Sequence, residues 1–205
     1  TLNDPKKVRY EFEKACHIAK SGRPGPVWIQ IPMDVQSTKI DETNLQGFSI
    51  SDTIPAATDI EIHDVIKLLK NSSRPVIISG QGIRLSDSIS LLEEFSSKYN
   101  IPAVTPFLGI DTMNHDLFQY VGKTGVKGDR AANFAMQNSD LIIAVGTSLH
   151  VTVIGYTYEH FAREAKKIIV DIDKTSHNKK TIKLDQFVHS DAKKFLEKIL
   201  KFSND

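Results

Sequence analysis

Residues 74–82 read Arg-Pro-Val-Ile-Ile-Ser-Gly-Gln-Gly, and this stretch gives the clearest indication of the fold. Its apolar, β-branched run predicts a buried strand over residues 74–79. Gly80 and Gly82 then predict a tight turn, and the apolar spacing that follows predicts a helix over residues 86–99. A turn between a strand and a helix can hold a phosphate on its backbone amides, but it can equally be a turn that binds nothing.

The same alternation of strand and helix continues through the rest of the chain. Apolar runs predict further strands at residues 101–105, 141–146 and 167–172, and helical spacing predicts helices at 58–69, 129–138 and 191–200, with another ending at 161–165. Residues 106–128 are predicted to be a long, Gly-rich loop. Strands that are apolar on both faces and alternate with helices indicate an α/β fold. We therefore expect a Rossmann-like parallel sheet with helices on both faces.

The first 57 residues have a different pattern. Helical spacing predicts a helix over residues 4–20, and the apolar run at 27–31 predicts a short buried strand bounded by prolines. Residues 37–57 are polar and aperiodic, which predicts a linker between domains. The predicted organisation is thus a helix–strand end of one α/β domain (1–36), a linker (37–57) and a second domain (58–205).

Composition narrows the class of protein. The 205 residues carry a net charge of +1 and are 40% hydrophobic, which gives no indication of a nucleic-acid or membrane partner. The single cysteine, Cys16, excludes an intrachain disulfide and a Cys₂ or Cys₄ zinc site, and it favours a cytoplasmic location. The seven histidines show no metal-ligand spacing and are expected at the surface or away from the reacting groups.

Two segments resemble a known family. Residues 22–36, Gly-Arg-Pro-Gly-Pro-Val-Trp-Ile-Gln-Ile-Pro-Met-Asp-Val-Gln, resemble the segment that closes the N-terminal, pyrimidine-binding domain of thiamine-diphosphate enzymes of the acetolactate synthase type. The second segment, 122–146, resembles the central domain of the same enzymes. It supplies the family landmarks in order: Gly122, Gly125, Gly128, Ala132, Asn133, Asn138, Asp140, Val145 and Gly146. Asp171-Ile-Asp173 and Asn178-Lys179 match the next landmarks.

The resemblance implies a central domain with the end of the N-terminal domain attached. Family members decarboxylate 2-oxo acids and join the product to an acceptor. Their thiamine diphosphate and Mg²⁺ are held by an N-terminal glutamate and a C-terminal Gly-Asp-Gly segment, and the latter occurs nowhere in this sequence. The resemblance therefore implies that the chain is an excerpt, inactive alone, of a homo-oligomeric parent enzyme whose other domains bind these cofactors.

Because ligands of parallel sheets lie outside the carboxyl ends of the strands, a nucleotide crevice is predicted there. The residues predicted to bind there are Gly80, Gly82, Arg84, Gly146, Ser148, Asp171 and Asp173. FAD is doubtful, because the family's Arg-Phe-Asp-Asp-Arg run is replaced here by residues 148–152, Ser-Leu-His-Val-Thr; an ADP-like nucleotide is the preferred ligand. Asp171 and Asp173 also allow a metal-binding, an acid–base or a turn-capping interpretation, and the last is favoured. The rival function is a free-standing module that binds NAD or an adenine nucleotide.

Overall fold

The computed structural model describes residues 1–51 and 53–202. The chain divides into two compact units, Thr1–Ile54 and Pro55–Asp205. Each unit has its own internal packing. The division lies inside the predicted 37–57 linker, whose exact bounds remain a prediction.

Unit 1 is built around the helix α1, Val8–Lys20, with a second short helix α2 at Met33–Gln36. Asp4 caps the 3₁₀ turn that leads into α1 by accepting a hydrogen bond from the Lys6 amide. Phe48 packs edge-on against Tyr10 of α1, with ring centroids 5.5 Å apart. The Phe48 amide also donates to Oε2 of Glu13 over 2.7 Å. Phe48, in the middle of the predicted linker, is therefore packed onto α1.

The predicted strand at residues 27–31 is wrong, because this segment forms no regular secondary structure. The Gln30 carbonyl accepts a hydrogen bond from the Leu2 amide over 2.8 Å, and the side chain of Trp28 is 90% exposed. An apolar run forms a strand only where a neighbouring strand satisfies its backbone groups. The described residues of unit 1 contain no second strand that could do so.

Unit 2 is a six-stranded, fully parallel sheet, which confirms the predicted fold class. The strands are β1 Pro75–Ser79, β2 Ala103–Thr105, β3 Tyr120–Lys123, β4 Leu141–Val145, β5 Lys166–Asp171 and β6 Gln186–His189. The helices are α3 Asp59–Lys70, α4 Gln81–Leu85, α5 Ile89–Lys98, α6 Arg130–Gln137, α7 Val151–Ile154 and α8 Ala192–Phe202. The spatial order β3-β2-β1-β4-β5-β6 is that of the doubly wound dinucleotide-binding folds.

Alternate residues of the central strands enter two separate cores. Ile77 and Ile143 face one core, which is closed by α3, α5 and α8, while Ile78 and Ile142 face the other, which is closed by α6 and α7. All four side chains are fully buried. Both faces of β1 and β4 are therefore covered, which explains why these strands are continuous apolar runs in the sequence.

Several elements of unit 2 differ from the sequence predictions, and the short helices α4 and α7 are not among the predicted elements. β3 lies inside the predicted 106–128 loop, and β6 was not predicted at all. Both are edge strands, and they are only partly buried, so their residues need not form an apolar run. The predicted helix ending at 161–165 is wrong: this stretch consists of turns, and Ala162 has a φ of 41°. No helix in residues 1–51 or 53–202 has both the length and the apolar character needed to cross a bilayer.

Asp140 connects two loops at the amino end of the sheet, opposite the predicted crevice. Its carboxylate accepts hydrogen bonds from the hydroxyl of Ser72 and from the amides of Ser73 and Arg74, the latter two over 2.8 and 2.9 Å. Partial burial disfavours the charged form, but the bonds from these three residues outweigh it, so the pKa of Asp140 lies below its usual value. The ionised carboxylate thus holds the turn before β1 to the turn before β4.

Asp140→Asn should lower the free energy of unfolding at neutral pH by about 1 kcal/mol, since the charged acceptor is lost and solvent screening limits its contribution. A carboxyl group whose pKa is lowered by folding stabilises the protein above its unfolded pKa, and this contribution is lost as the pH falls through the folded value. Urea unfolding at several pH values should therefore show the difference between parent and variant shrinking below about pH 4. Asp64→Asn, at an exposed position on α3, is the matched control. A difference that stays constant down to about pH 3 would contradict the proposed role.

Candidate functional site

The candidate site lies where the order of the strands reverses. From β1 the chain proceeds outward to β2 and β3 on one side, and from β4 it proceeds to β5 and β6 on the other. In open parallel sheets, ligands bind outside the carboxyl ends of the strands at such a switch point. Here β1 is followed by Gly80 and β4 by Gly146, so the two glycine-containing loops border the same crevice.

The glycines at this point are required by close backbone packing. A Cβ on Gly80 would lie 2.3 Å from the carbonyl oxygen of Gly146, and a Cβ on Gly82 would lie 2.6 Å from the Cα of Gly146. Gly146 itself has a φ of 61°, a conformation that favours glycine. The backbone that follows β4 therefore crosses directly over the first turn of α4.

The same packing occupies the amides that were predicted to bind a phosphate. The Gly80 amide donates to the carbonyl of Val145, and the Gly82 amide donates to the carbonyl of Gly146, each over 2.9 Å. A phosphate cradle built from these two N–H groups does not fit this arrangement, because each hydrogen already has an acceptor. The glycine-rich turn thus resembles the ligand-free alternative more than a phosphate loop.

Arg84 lies at the end of α4 and is paired. Its Nη1 contacts both carboxylate oxygens of Asp111, and both side chains are partly exposed. The hydrogen bond from Arg84 outweighs desolvation and lowers the pKa of Asp111. An anion that binds Arg84 must therefore compete with the Asp111 carboxylate.

Asp171 and Asp173, at the end of β5, organise the turn that follows. Oδ1 of Asp171 accepts a hydrogen bond from the Asp173 amide over 2.8 Å. Oδ1 of Asp173 accepts from the amides of Thr175 and Ser176 over 3.0 and 3.1 Å. These bonds are those of a turn-capping pair, and the described residues contain no cluster of three potential metal ligands.

His177 is a residue that the sequence reasoning missed. Its side chain is only 4% exposed, and its Nε2 lies 3.2 Å from Oδ2 of Asp171. The ring packs against Phe187 of β6, with centroids 5.3 Å apart. The spacing between Asp171 and His177 matches no known ligand pattern, so the sequence offered no signal for this contact.

Ser148 lies in the loop after β4, and this loop is held from the β5–β6 connection. Nζ of Lys179 donates to the carbonyl of Ser148 and, over 3.4 Å, to that of Leu149. The Asn178-Lys179 landmark noted in the sequence therefore fixes the wall of the crevice. Six of the seven predicted residues lie at or shortly after the ends of β1, β4 or β5, and Arg84 lies at the far end of α4. Their role in cofactor binding stays a prediction.

The fold of unit 2 agrees with what comparison with known proteins finds. The family described as "Thiamine pyrophosphate enzyme, central domain" matches residues 62–199. The chain belongs to this family. Its match extends from α3 to α8 and so includes all six strands of unit 2.

Two individual relatives support the assignment of the chain to this family. The chain is 33% identical over 194 residues to the acetolactate synthase large subunit of Lactococcus lactis, covering 93% of this chain and 33% of that protein. It is 32% identical over 207 residues to the probable acetolactate synthase large subunit of Methanocaldococcus jannaschii, covering 97% and 34% respectively. The chain thus spans about a third of the length of these curated relatives.

A solved structure supports the fold. The crystal structure of a putative thiamin diphosphate-dependent enzyme from Mycobacterium smegmatis matches with a TM-score of 0.79 at 18% identity, over 97% of this chain and 38% of that one. The alignments to thiamine-enzyme relatives include unit 1 as well as the α/β unit. The hypothesis of a free-standing nucleotide-binding module is therefore not favoured.

Gly82→Ala should destabilise unit 2 by about 1–3 kcal/mol, the range expected when atoms are added to a packed region that cannot expand. The added Cβ would lie 2.6 Å from backbone, which cannot move aside as a flexible side chain could. Urea unfolding measures the effect. Gly25→Ala is the control, because no atom lies within 4 Å of its Cβ position. A Gly82→Ala variant as stable as the parent would show that the two loops are not in close contact.

Proposed function

We propose that this chain is the central part of a thiamine-diphosphate-dependent enzyme of the acetolactate synthase type, which decarboxylates a 2-oxo acid and adds the resulting carbanion to an acceptor. The observation that carries the proposal is the family match over residues 62–199 together with alignment of nearly the whole chain to acetolactate synthase large subunits. The fold alone would not suffice, since doubly wound sheets serve many functions.

The proposed role of this part is architectural. It spaces the domains that bind the cofactor and contributes to the wall of the substrate channel. The chain covers only 33–34% of the relatives, which leaves room for those domains. Unit 1 also exposes large apolar side chains, with Trp28 at 90% and Met33 at 81%, and such surfaces commonly mark a contact.

Thiamine diphosphate and Mg²⁺ are proposed to bind the other domains of the parent. The sequence has no Gly-Asp-Gly segment, and the described residues contain no cluster of three carboxylates, histidines or cysteines. The parent is further proposed to be a cytoplasmic homo-oligomer, most simply a dimer or tetramer.

The 205-residue chain by itself should not bind thiamine diphosphate and should not decarboxylate a 2-oxo acid. Calorimetric titration with thiamine diphosphate and Mg²⁺ should give no saturable heat. The same titration with the polypeptide extended by its flanking reading frame, and a pyruvate decarboxylation assay on that protein, should be positive. Saturable micromolar binding by the 205-residue chain would contradict the proposed division of roles.

A second part of the proposal concerns the crevice at the β1–β4 switch point, which we assign to an ADP-like nucleotide rather than FAD. Because the Gly80 and Gly82 amides already have acceptors, this assignment depends on Arg84 as the group that meets a phosphate. The segment after Gly146 leads into α7, and Leu149 and Val153 are buried in the core that α6 and α7 close, so these side chains offer a flavin no polar contact. The Asp111 carboxylate is then the competitor for Arg84.

ADP should raise the melting temperature of the chain more than FAD does, and a purified sample should lack flavin absorbance. Arg84→Ala should remove most of the shift, whereas Asp111→Asn should enlarge it, since the guanidinium is freed for the phosphate. Both variants remove the surface ion pair, but they are expected to change the ADP-induced shift in melting temperature in opposite directions. The comparison therefore distinguishes ligand binding from simple loss of the ion pair. Co-purified stoichiometric FAD, or equal shifts in both variants, would overturn the assignment.

A further inference from the structure

A cavity of about 620 Å³ lies away from the strand-end crevice, between α6 and the turns that follow α7. It is lined by Arg130, Asn133, Phe134, Gln137, Asn138, His160 and Arg163. This volume is within the range of small-molecule sites. The lining includes two guanidinium groups and an imidazole, and it includes no carboxylate.

The acidic residues near this cavity either accept hydrogen bonds from the backbone elsewhere or lie outside the lining. Asp129, which precedes Arg130, accepts a hydrogen bond from the Lys123 amide over 2.8 Å. Glu159 and Glu164 are exposed residues that do not contribute to the lining. In the described part of the chain the guanidinium of Arg163 has no carboxylate within ion-pair distance. Its positive charge is therefore not neutralised locally.

The walls of the cavity are fixed by hydrogen bonds that do not involve the two arginines. Oδ1 of Asn133 accepts from the Gly125 amide over 2.9 Å, and its Nδ2 donates to the Gly125 carbonyl over 3.0 Å. Oε1 of Gln137 accepts from the amide of Ala162 over 2.8 Å. This bond from Ala162 holds the turn that carries His160 and Arg163 against α6. The helix and the turn that carry the two arginines are thus held together before any ligand arrives, which reduces the cost of binding.

Arg130 is oriented by an aromatic ring. Its guanidinium carbon lies 5.2 Å from the ring centroid of Phe134, one turn further along α6. Stacking leaves the N–H edge of a guanidinium available, and that edge matches the two oxygens of a carboxylate or phosphate. Phe134 itself is 55% exposed and offers an apolar surface beside the charge.

We propose that this cavity binds a small anion that carries a carboxylate or phosphate group, with Arg130 and Arg163 as the charged groups of its lining. The inference is independent of the parent enzyme's activity, because it depends only on residues of α6 and the 160–163 turn. It concerns a different place in the fold from the predicted nucleotide crevice. Binding is expected to weaken with ionic strength, since the arginines are exposed.

The test is a titration of the ¹⁵N-labelled 205-residue chain, at low ionic strength, with inorganic phosphate in one arm and succinate in the other. Saturable amide shifts confined to residues 130–138 and 160–163 are expected with at least one probe, and the arm that binds more tightly identifies the anion class. Arg130→Gln/Arg163→Gln should weaken binding about tenfold or more, because both charged donors are lost. Arg163→Lys should show a smaller loss, because it keeps the charge but not the bidentate geometry.

Lys70→Gln removes one positive charge from an exposed position on α3 and is the control. It should leave affinity unchanged within about twofold, since distant exposed charges are largely screened. Unchanged amide spectra outside the cavity confirm that each variant is folded. The proposal is overturned if neither probe gives saturable shifts, if the shifts are spread evenly over surface lysines, or if the double arginine variant binds as tightly as the parent.

Discussion

The close approach of two backbone segments at the centre of the sheet is the constraint on which the rest of unit 2 depends. Gly146 can cross α4 only because Gly80 and Gly82 have no side chains, and the bond from the Gly82 amide to the Gly146 carbonyl fixes the crossing. This contact sets the spacing of the loops that follow β1 and β4. At the other end of the same two strands, Asp140 joins the preceding turns. The central pair is therefore held at both of its ends.

This arrangement changes how the glycine-rich turn is understood. In a phosphate-binding turn, glycine lets the backbone approach a ligand and leaves N–H groups directed at it. Here the backbone approaches another backbone, and the N–H groups donate to protein carbonyls. A glycine pattern after a strand therefore indicates close approach without specifying what is approached. This is consistent with the architectural role proposed for the domain.

The sequence was most informative where a segment is buried on both sides. The central strands β1, β4 and β5 and the helices α3, α5, α6 and α8 were all predicted, because their apolar residues recur with a clear period. The edge strands β3 and β6 were not predicted, because a partly buried strand need not form an apolar run. The strand predicted at residues 27–31 is absent, because an apolar run does not reveal whether a partner strand is present. The contact between Asp171 and His177 depends on a turn whose shape no local pattern encodes. Lys179 could be recognised in the sequence only as a family landmark. Its hydrogen bonds to the carbonyls of the loop after β4 could not be predicted.

The pairing of β1 with β4 also has a consequence for how the chain acquires its structure. Pro75 pairs with Leu141 and Ser79 pairs with Val145, so each contact closes a long loop that contains β2, β3 and α6. Such non-local pairing loses chain entropy before the stabilising contacts between the strands have formed. Folds dominated by this kind of pairing therefore reach the native state slowly. During synthesis, β1 has one edge unpaired until β4 has left the ribosome. The apolar run that identifies the fold in the sequence thus also exposes an unpaired strand edge while the protein is being made.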